Sequence, residues 1–213
     1  MADLNLLYDA ILKGKHKVAA EITQVAIEEN LEPKELIDNY LIKAMEEIGA
    51  RFERQQAFVP ELLMAGRAMK ASLSLLQPLL KGDEATSQLG TIVIGTVKGD
   101  LHDIGKNLVG SMFEGCGFQV VDLGVDADSD KFVAAVKEHG ANLVGLSALL
   151  TTTMPYMRTI IEALQTAGLR DKVKVMVGGA PVSAGFAAEI GADGYSDSAN
   201  SAIMKAKELL GVA

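Results

Sequence analysis

The period of the hydrophobic pattern changes once along the chain, near residue 90, and this change limits the folds that are possible. Before it, apolar residues recur at helical spacing on one stripe: Ile37, Leu41, Ala44 and Ile48. After it, short runs rich in Val, Ile and Leu alternate with amphipathic stretches. Such an alternation is typical of a parallel sheet covered by helices on both faces. We therefore expect an all-α part followed by an α/β part.

Four amphipathic stretches precede the change, and they predict an antiparallel four-helix bundle over residues 1–82. Gly14 and Asn30 mark breaks between the first helices, and Pro33 and Pro60 stand where the first turn of a helix tolerates proline. The expected apolar stripe of the second helix is Val18, Ile22 and Val25. Residues 83–89 are polar and predict a linker.

Residues 90–213 predict a doubly wound, parallel, five-stranded sheet with a Rossmann-like (flavodoxin-like) fold. The expected strands are 91–97, 119–123, 143–146, 173–177 and a short 193–195. Amphipathic stretches lie between them, and a last helix is expected over 199–210.

Composition excludes several classes of function. The formal net charge of -8 argues against a nucleic-acid partner, because phosphate contacts need clustered Lys and Arg. One cysteine cannot form an internal disulfide, so a secreted, disulfide-built framework is excluded. No signal peptide and no apolar run of about 20 residues is visible, so no membrane partner is expected. We expect a cytoplasmic protein.

Three segments fall at the carboxyl ends of expected strands, where open parallel sheets bind ligands. The first, 98–105, lacks the glycine patterns of dinucleotide and phosphate loops and offers His102 between Asp100 and Asp103. A metal-binding imidazole commonly donates from its other nitrogen to a carboxylate, which Asp100 can supply. Gly105 would let a bulky ligand pass close to the backbone. From the residues alone, His102 is either a metal ligand or an ordinary loop histidine.

The other two segments are also open to two interpretations. Residues 147–153 are rich in hydroxyl groups, of which Thr153 is expected to cap the following helix. That role leaves the hydroxyls of Ser147 and Thr151 unexplained. Gly178 and Gly179 form either a turn or a place where a ligand approaches the backbone closely.

Together these residues resemble the corrinoid proteins of methyltransferase systems for methylamines, methanol and betaine, and the cobalamin-binding region of methionine synthase. That family has Asp-x-His-x-x-Gly, then Ser-x-Leu, then Gly-Gly. The matching residues are Asp100, His102 and Gly105, then Ser147 and Leu149, then Gly178 and Gly179. Segments 49–52, 58–63 and 68–69 resemble the helical cap that precedes the cobalamin domain.

The resemblance implies a cobalt corrinoid bound base-off/His-on, with His102 as the lower axial ligand of the metal. It implies a relay from His102 through Asp100 to Thr153, where the methionine synthase pattern has a serine. It also implies that the nucleotide tail enters a channel and that helical-cap residues cover the upper face. The cofactor-binding residues implied in this way are Asp100, Leu101, His102, Asp103, Ile104, Gly105, Ser147, Leu149, Thr151, Gly178, Gly179 and Ala199, with Phe58 and Leu62 from the cap.

The function implied is that of a methyl carrier that does not complete a turnover alone. Its expected partners are a substrate-specific corrinoid methyltransferase, an acceptor methyltransferase and a reductive activase. The resemblance leaves open the methyl donor (methylamine, methanol, betaine or a methoxyarene) and the acceptor (tetrahydrofolate or coenzyme M). The alternatives are a cobalamin-sensing regulatory module, an adenosylcobalamin mutase subunit, and a flavodoxin-like protein with another ligand.

Overall fold

A computed structural model describes residues 2–80 and 89–212 of the chain. The predicted linker, 83–89, lies outside these residues except for Leu89. The chain divides into two compact units: Met1–Leu89 with Ser111–Phe118, and Gly90–Gly110 with Gln119–Ala213. None of the described helices has both the length and the hydropathy needed to cross a membrane.

The first unit, called here the helical unit, is built from amphipathic helices, as predicted. They are α1 (Leu4–Leu12), α2 (His16–Glu28), α3 (Pro33–Leu36), α4 (Ile42–Glu53) and α5 (Val59–Leu76), with the π-helical turn Ile37–Leu41 joining α3 to α4. Gly14 and Asn30 both have positive φ between helices, which confirms the two predicted breaks. The predicted stripe from Ile37 to Ile48 is buried.

The buried face of α2 differs from the predicted one. Val25 is 38% exposed, whereas Ala19, Thr23 and Ala26 are completely buried. The true stripe is therefore displaced by one position from the predicted one. Small side chains on the buried face allow neighbouring helices to approach closely, and that preference outweighs the larger apolar area of Val25.

The second unit, called here the α/β unit, contains the predicted five-stranded parallel sheet. Its strands are β1 (Thr91–Thr96), β2 (Gln119–Asp122), β3 (Leu143–Ser147), β4 (Lys174–Gly178) and β5 (Gly194–Tyr195), in the order β2-β1-β3-β4-β5. Its helices are α6 (Ile104–Gly115, whose last residues belong to the helical unit), α7 (Ser129–His139), α8 (Pro155–Thr166), α9 (Ala184–Glu189) and α10 (Ala199–Leu210).

The sheet brings the three candidate segments to one edge. Thr96 at the end of β1 pairs in register with Ser147 at the end of β3, and Ser147 pairs with Gly178 at the end of β4. The strand order reverses direction next to β1, which is the point where doubly wound sheets open a crevice for ligands. The loops that follow β1, β3 and β4 are therefore neighbours.

Candidate functional site

Asp100 is the centre of the site and is completely buried. Its Oδ1 accepts hydrogen bonds from Nδ1 of His102 (2.6 Å) and from the His102 backbone amide (3.1 Å). Its Oδ2 accepts from the Thr153 hydroxyl (2.8 Å) and from the backbone amides of Leu149 (2.8 Å) and Leu150 (3.2 Å). Five donors from the loops after β1 and β3 thus converge on one carboxylate.

These contacts keep Asp100 ionised. Burial by itself would raise the pKa of this carboxyl group, since it disfavours the charged form. The hydrogen bonds from the Leu149 amide, the His102 ring, the Thr153 hydroxyl and the His102 amide act in the opposite direction and together hold its pKa well below the usual range. Asp100 is therefore a fixed negative charge and a strong acceptor for the imidazole.

The His102 ring is held by one nitrogen and open at the other. The ionised Asp100 carboxylate can only accept, so Nδ1 of the ring is the donor in this contact, and Nε2 is the nitrogen that it leaves for a ligand. The His102 side chain remains 50% exposed, which leaves Nε2 available to a ligand. The backbone is also tied down, since the Thr96 hydroxyl donates to the His102 carbonyl oxygen at 2.8 Å.

Thr153 has a different role from the helix cap expected of it. The residue before α8 is Met154, and no side chain caps that helix. The Thr153 hydroxyl instead lies 2.8 Å from Asp100 Oδ2 and 2.9 Å from the Leu150 carbonyl oxygen. Its single proton favours the charged acceptor, because hydrogen bonds to ionised groups are the stronger ones. The expectation of a helix cap was wrong because a buried carboxylate competes for the same hydroxyl.

Glycines line the same edge where side chains would collide or where open space is needed. At Gly179 the backbone has φ of +127°, and an added Cβ would lie 1.9 Å from the Ala148 carbonyl oxygen. Any other residue at Gly179 would therefore force the loops after β3 and β4 apart. At Gly105, by contrast, an added Cβ would meet no atom of the described residues within 4 Å, so these residues leave the space beside the start of α6 open.

Comparison with known proteins gives the family. Residues 90–204 match the model of a B12 binding domain, and residues 4–77 match a second model that is also described as a B12 binding domain. The dimethylamine corrinoid protein of Methanosarcina barkeri is 46% identical over 207 residues, which are 97% of this chain and 97% of that protein. The chain belongs to the corrinoid protein family.

Solved structures agree with this assignment to the corrinoid proteins. A cobalamin-binding protein from Desulfitobacterium hafniense DCB-2 matches with a TM-score of 0.80 and 33% identity, covering 98% of each chain. A chain of the methanol:cobalamin methyltransferase complex from Methanosarcina barkeri matches with a TM-score of 0.81 and 28% identity, covering 97% of this chain and 79% of that one. The Rossmann-like fold predicted for residues 90–213 is thereby confirmed.

The residues present fit a corrinoid. Beside the half-exposed His102 ring, the loops after β1 and β3 carry apolar side chains that face solvent: Leu101 (72% exposed), Ile104 (86%), Leu149 (44%) and Leu150 (42%). Soluble proteins rarely expose so many large apolar groups together unless a ligand or partner covers them. A broad macrocycle would cover this surface, and the free Nε2 of His102 would meet its metal. The corrinoid protein binds cobalamin or a related corrinoid, as predicted.

The remaining predicted residues of the α/β unit lie at or near the same edge. Ser147 is half-buried at the end of β3, and Thr151 is exposed in the loop that follows. Gly178 ends β4, and an added Cβ there would lie 3.2 Å from the Ser196 carbonyl oxygen. Ala199 is buried in the first turn of α10. The Asp103 carboxylate accepts a hydrogen bond from the Asn107 side chain.

The two predicted cap residues lie in the helical unit and differ in exposure. Phe58 precedes α5 and is 68% exposed, whereas Leu62 is buried within the unit with 1% exposure. Their predicted contact with the cofactor stays a prediction.

Sequence reasoning missed two residues that hold the site. The Asp126 amide donates to the Asp100 carbonyl oxygen (3.0 Å), and its carboxylate accepts from the Gly99 amide (2.7 Å). Asp126 has φ of +52°, a conformation that Asp tolerates better than most residues. The second residue is Lys106, whose side chain is buried beside the His102 loop. A cation in the first turn of a helix opposes the helix dipole, and that signal could have drawn attention to it.

Proposed function

We propose that this corrinoid protein is a methyl carrier. It accepts a methyl group from a substrate-specific corrinoid methyltransferase and delivers it to an acceptor methyltransferase. The observation that carries the proposal is the His102 ring, held at Nδ1 by the buried Asp100 and open at Nε2, in a chain that belongs to the corrinoid proteins. A corrinoid held by His102 would supply the group-transfer chemistry at its cobalt.

His102 is the proposed lower axial ligand, in the base-off/His-on arrangement. Support comes from the contact of the ring with Asp100, because it engages Nδ1 and leaves Nε2 for a metal. Asp100 increases the electron-donating power of the ring by accepting a hydrogen bond from Nδ1–H. Thr153 in turn holds Oδ2 of Asp100, so the three residues form a line of hydrogen bonds behind the metal ligand.

The nucleotide tail is proposed to enter between the loops after β1, β3 and β4. Support comes from the open space at Gly105 and from the absence of a side chain at Gly178 and Gly179. The tail-binding residues proposed with them are Ser147, Thr151 and Ala199. Phe58 and Leu62 remain the proposed cap residues, of which the exposed Phe58 is the better placed to contact a ligand.

We further propose that the methyl donor is a methylamine. The relative with 46% identity over nearly its whole length carries the name of a dimethylamine corrinoid protein, whereas the matching chain of the methanol system is 28% identical. A reductive activase, an acceptor methyltransferase and a cytoplasmic location belong to the same proposal.

Spectroscopy of the reconstituted protein tests the axial ligand. The full chain, with its histidines labelled with 15N, loaded with hydroxocobalamin and reduced to Co(II), should show the two-line electron paramagnetic resonance splitting of one imidazole 15N, which the unlabelled benzimidazole base of the cofactor cannot produce. The His102→Ala variant should lose that splitting, while His139→Ala, a change at an exposed histidine in α7, should keep it. Splitting that survives in His102→Ala would rule out His102 as the ligand.

Methyl transfer then tests the carrier role and the donor. Loaded protein should become methylated with dimethylamine and a methyltransferase specific for it, and not with methanol and its methyltransferase. Methylation by the methanol system alone would overturn the donor assignment and leave the carrier role standing. Tight corrinoid binding without methylation by any such system would contradict the carrier role.

A further inference from the structure

Lys106, in the first turn of α6, is buried to an unusual degree for a lysine. Its side chain is 1% exposed, and its ammonium lies 2.6 and 2.7 Å from the two carboxylate oxygens of Asp122 and 2.6 Å from Oδ1 of Asn107. The three protons of the ammonium therefore meet three acceptors. With all its protons engaged, Lys106 has none left to bind a ligand.

Burying the Lys106 ammonium at this position costs free energy, so a contribution to the stability of the fold does not explain why a lysine is there. A cation near a helix N-terminus is disfavoured by the helix dipole, and an ammonium loses its hydration on burial, a cost that pairing offsets only in part. Asp122 is 43% exposed, so water could solvate that carboxylate without the lysine. An apolar residue in place of Lys106 would therefore cost little in overall stability. The hydrogen bonds that continue from Lys106 suggest what it does instead.

Two series of hydrogen bonds, called here routes, connect Lys106 with the residues around the His102 carbonyl. In the first, Asn107 donates from its side chain to Asp103, which directly follows His102 (3.1 Å). In the second, Asp122 accepts from the Gly124 amide (2.9 Å), and the Gly124 carbonyl accepts from the Thr96 amide (3.0 Å).

Thr96 completes the second route. The hydroxyl of this buried residue donates to the His102 carbonyl oxygen at 2.8 Å. Lys106 thus joins the start of α6, the end of β2 and the end of β1, which are the three pieces of backbone that border the His102 loop.

We propose that Lys106 is a positioning residue for His102: its ammonium, enclosed by Asp122 and Asn107, fixes the loop and so sets how much of the bound corrinoid has His102 on the cobalt. The expected effect on cobalt ligation rests on the proposed function, because it requires a bound corrinoid. The expected effect on the position of the His102 ring against Asp100 does not, and it can be measured without any cofactor.

The test compares Lys106→Met with Lys207→Met in the full chain. Lys207, in α10, is the matched control because it is also a buried lysine of the α/β unit (5% exposed) and lies at the other end of the sheet order. Nitrogen chemical shifts of the His102 ring in the cofactor-free protein report whether the proton stays on Nδ1. Hydrogen exchange of the His102 and Leu149 amides, which both donate to Asp100, reports how firmly the loop is held.

Lys106→Met should move the His102 ring nitrogens toward a mixture of tautomers and speed exchange of the two amides about tenfold or more. Lys207→Met should change neither. In the loaded Co(II) protein, Lys106→Met should keep the corrinoid but lose a large part of the imidazole nitrogen splitting.

A second variant keeps the test decisive if Lys106→Met does not fold. Asn107→Ala removes the first route at an exposed position and leaves the Lys106–Asp122 pair intact. It should produce a smaller shift of the His102 ring in the same direction. Wild-type tautomer and exchange in the folded variants would overturn the inference, whereas failure of the wild-type protein to bind corrinoid would overturn the proposed function alone.

Discussion

The helical unit and the loop edge of the α/β unit are stabilised in different ways. In the helical unit the core consists of apolar side chains such as Leu7, Leu41 and Met69, all completely buried. Its buried hydroxyls have little role in holding it together, since Thr23 bonds to a carbonyl of its own helix and Ser72 has no partner among the residues that the structure describes. At the loop edge, five directed hydrogen bonds converge on the buried Asp100. The stability of the helical unit therefore depends on how well apolar side chains fill its core. The stability of the loop edge depends on the charge of Asp100 and on the directions of its hydrogen bonds.

The largest effect is expected at the loop edge, from Asp100→Asn. The amide keeps the shape but loses the charge, and its NH2 group cannot accept from the donors that now face it. We expect the free energy of unfolding to fall by about 3 kcal/mol or more, because buried donors are left without an acceptor. Urea unfolding of the cofactor-free chain measures this, with the half-buried Asp103→Asn as the control. Equal losses in both variants would contradict the special role of Asp100.

The same carboxylate should make stability depend on pH. Because the folded pKa of Asp100 is lowered, its contribution is present above the unfolded pKa of about 4 and is lost as the pH falls toward the folded value. The urea midpoint of the wild-type chain should therefore decrease below about pH 5. Asp100→Asn should show a flatter pH profile, and a profile as steep as wild type would assign the effect to other groups.

In the helical unit, Leu41→Ala should cost nearly as much stability for a different reason. Removing a completely buried leucine leaves a cavity and is expected to lower the free energy of unfolding by about 3 kcal/mol. The comparison predicts that the ring nitrogen shifts of His102 stay unchanged in this variant. A shift as large as that of Asp100→Asn would show that the two regions do not differ in the way described.

Thr153 allows a finer test at the loop edge. Thr153→Val removes one of the five donors to Asp100 and should cost about 1–2 kcal/mol and weaken the imidazole nitrogen splitting. Thr153→Ser keeps the hydroxyl and removes a methyl group, so a loss under about 1 kcal/mol with unchanged splitting is expected. If Thr153→Val behaves like the wild type and Thr153→Ser does not, the methyl group and not the hydroxyl is what matters.

The smallest effect is expected at Ser72. Its hydroxyl is buried in the helical unit and has no hydrogen-bond partner within residues 2–80 and 89–212, so Ser72→Ala should be neutral or stabilise the protein by up to about 1 kcal/mol. Thermal unfolding measures this, with Ser74→Ala, at an exposed position two residues on, as the control. A clear loss of stability would show that the helical unit also relies on a polar contact at this position.

The fold was predictable where the local pattern and the final environment agree. The strands were found within about one residue because apolar runs rich in Val and Ile suit a sheet buried on both faces. Helix α10 begins and ends where its pattern predicted. The buried face of α2 was predicted wrongly because hydrophobicity alone favours Val25. In the structure the small residues Ala19 and Ala26 are buried instead, where neighbouring helices pack closely against α2.

In the site, the sequence by itself determined which chemical groups are present and in what order. The family motif and the rule for parallel sheets are enough to place Asp100, His102 and Gly179 at one edge. Only the tertiary structure decided which partner each polar group takes. Thr153 bonds to Asp100 and caps no helix, and Lys106 is enclosed by Asp122, because buried charges select their partners by distance and direction across the fold. The spacing of residues along the sequence gives neither the distance nor the direction between such groups.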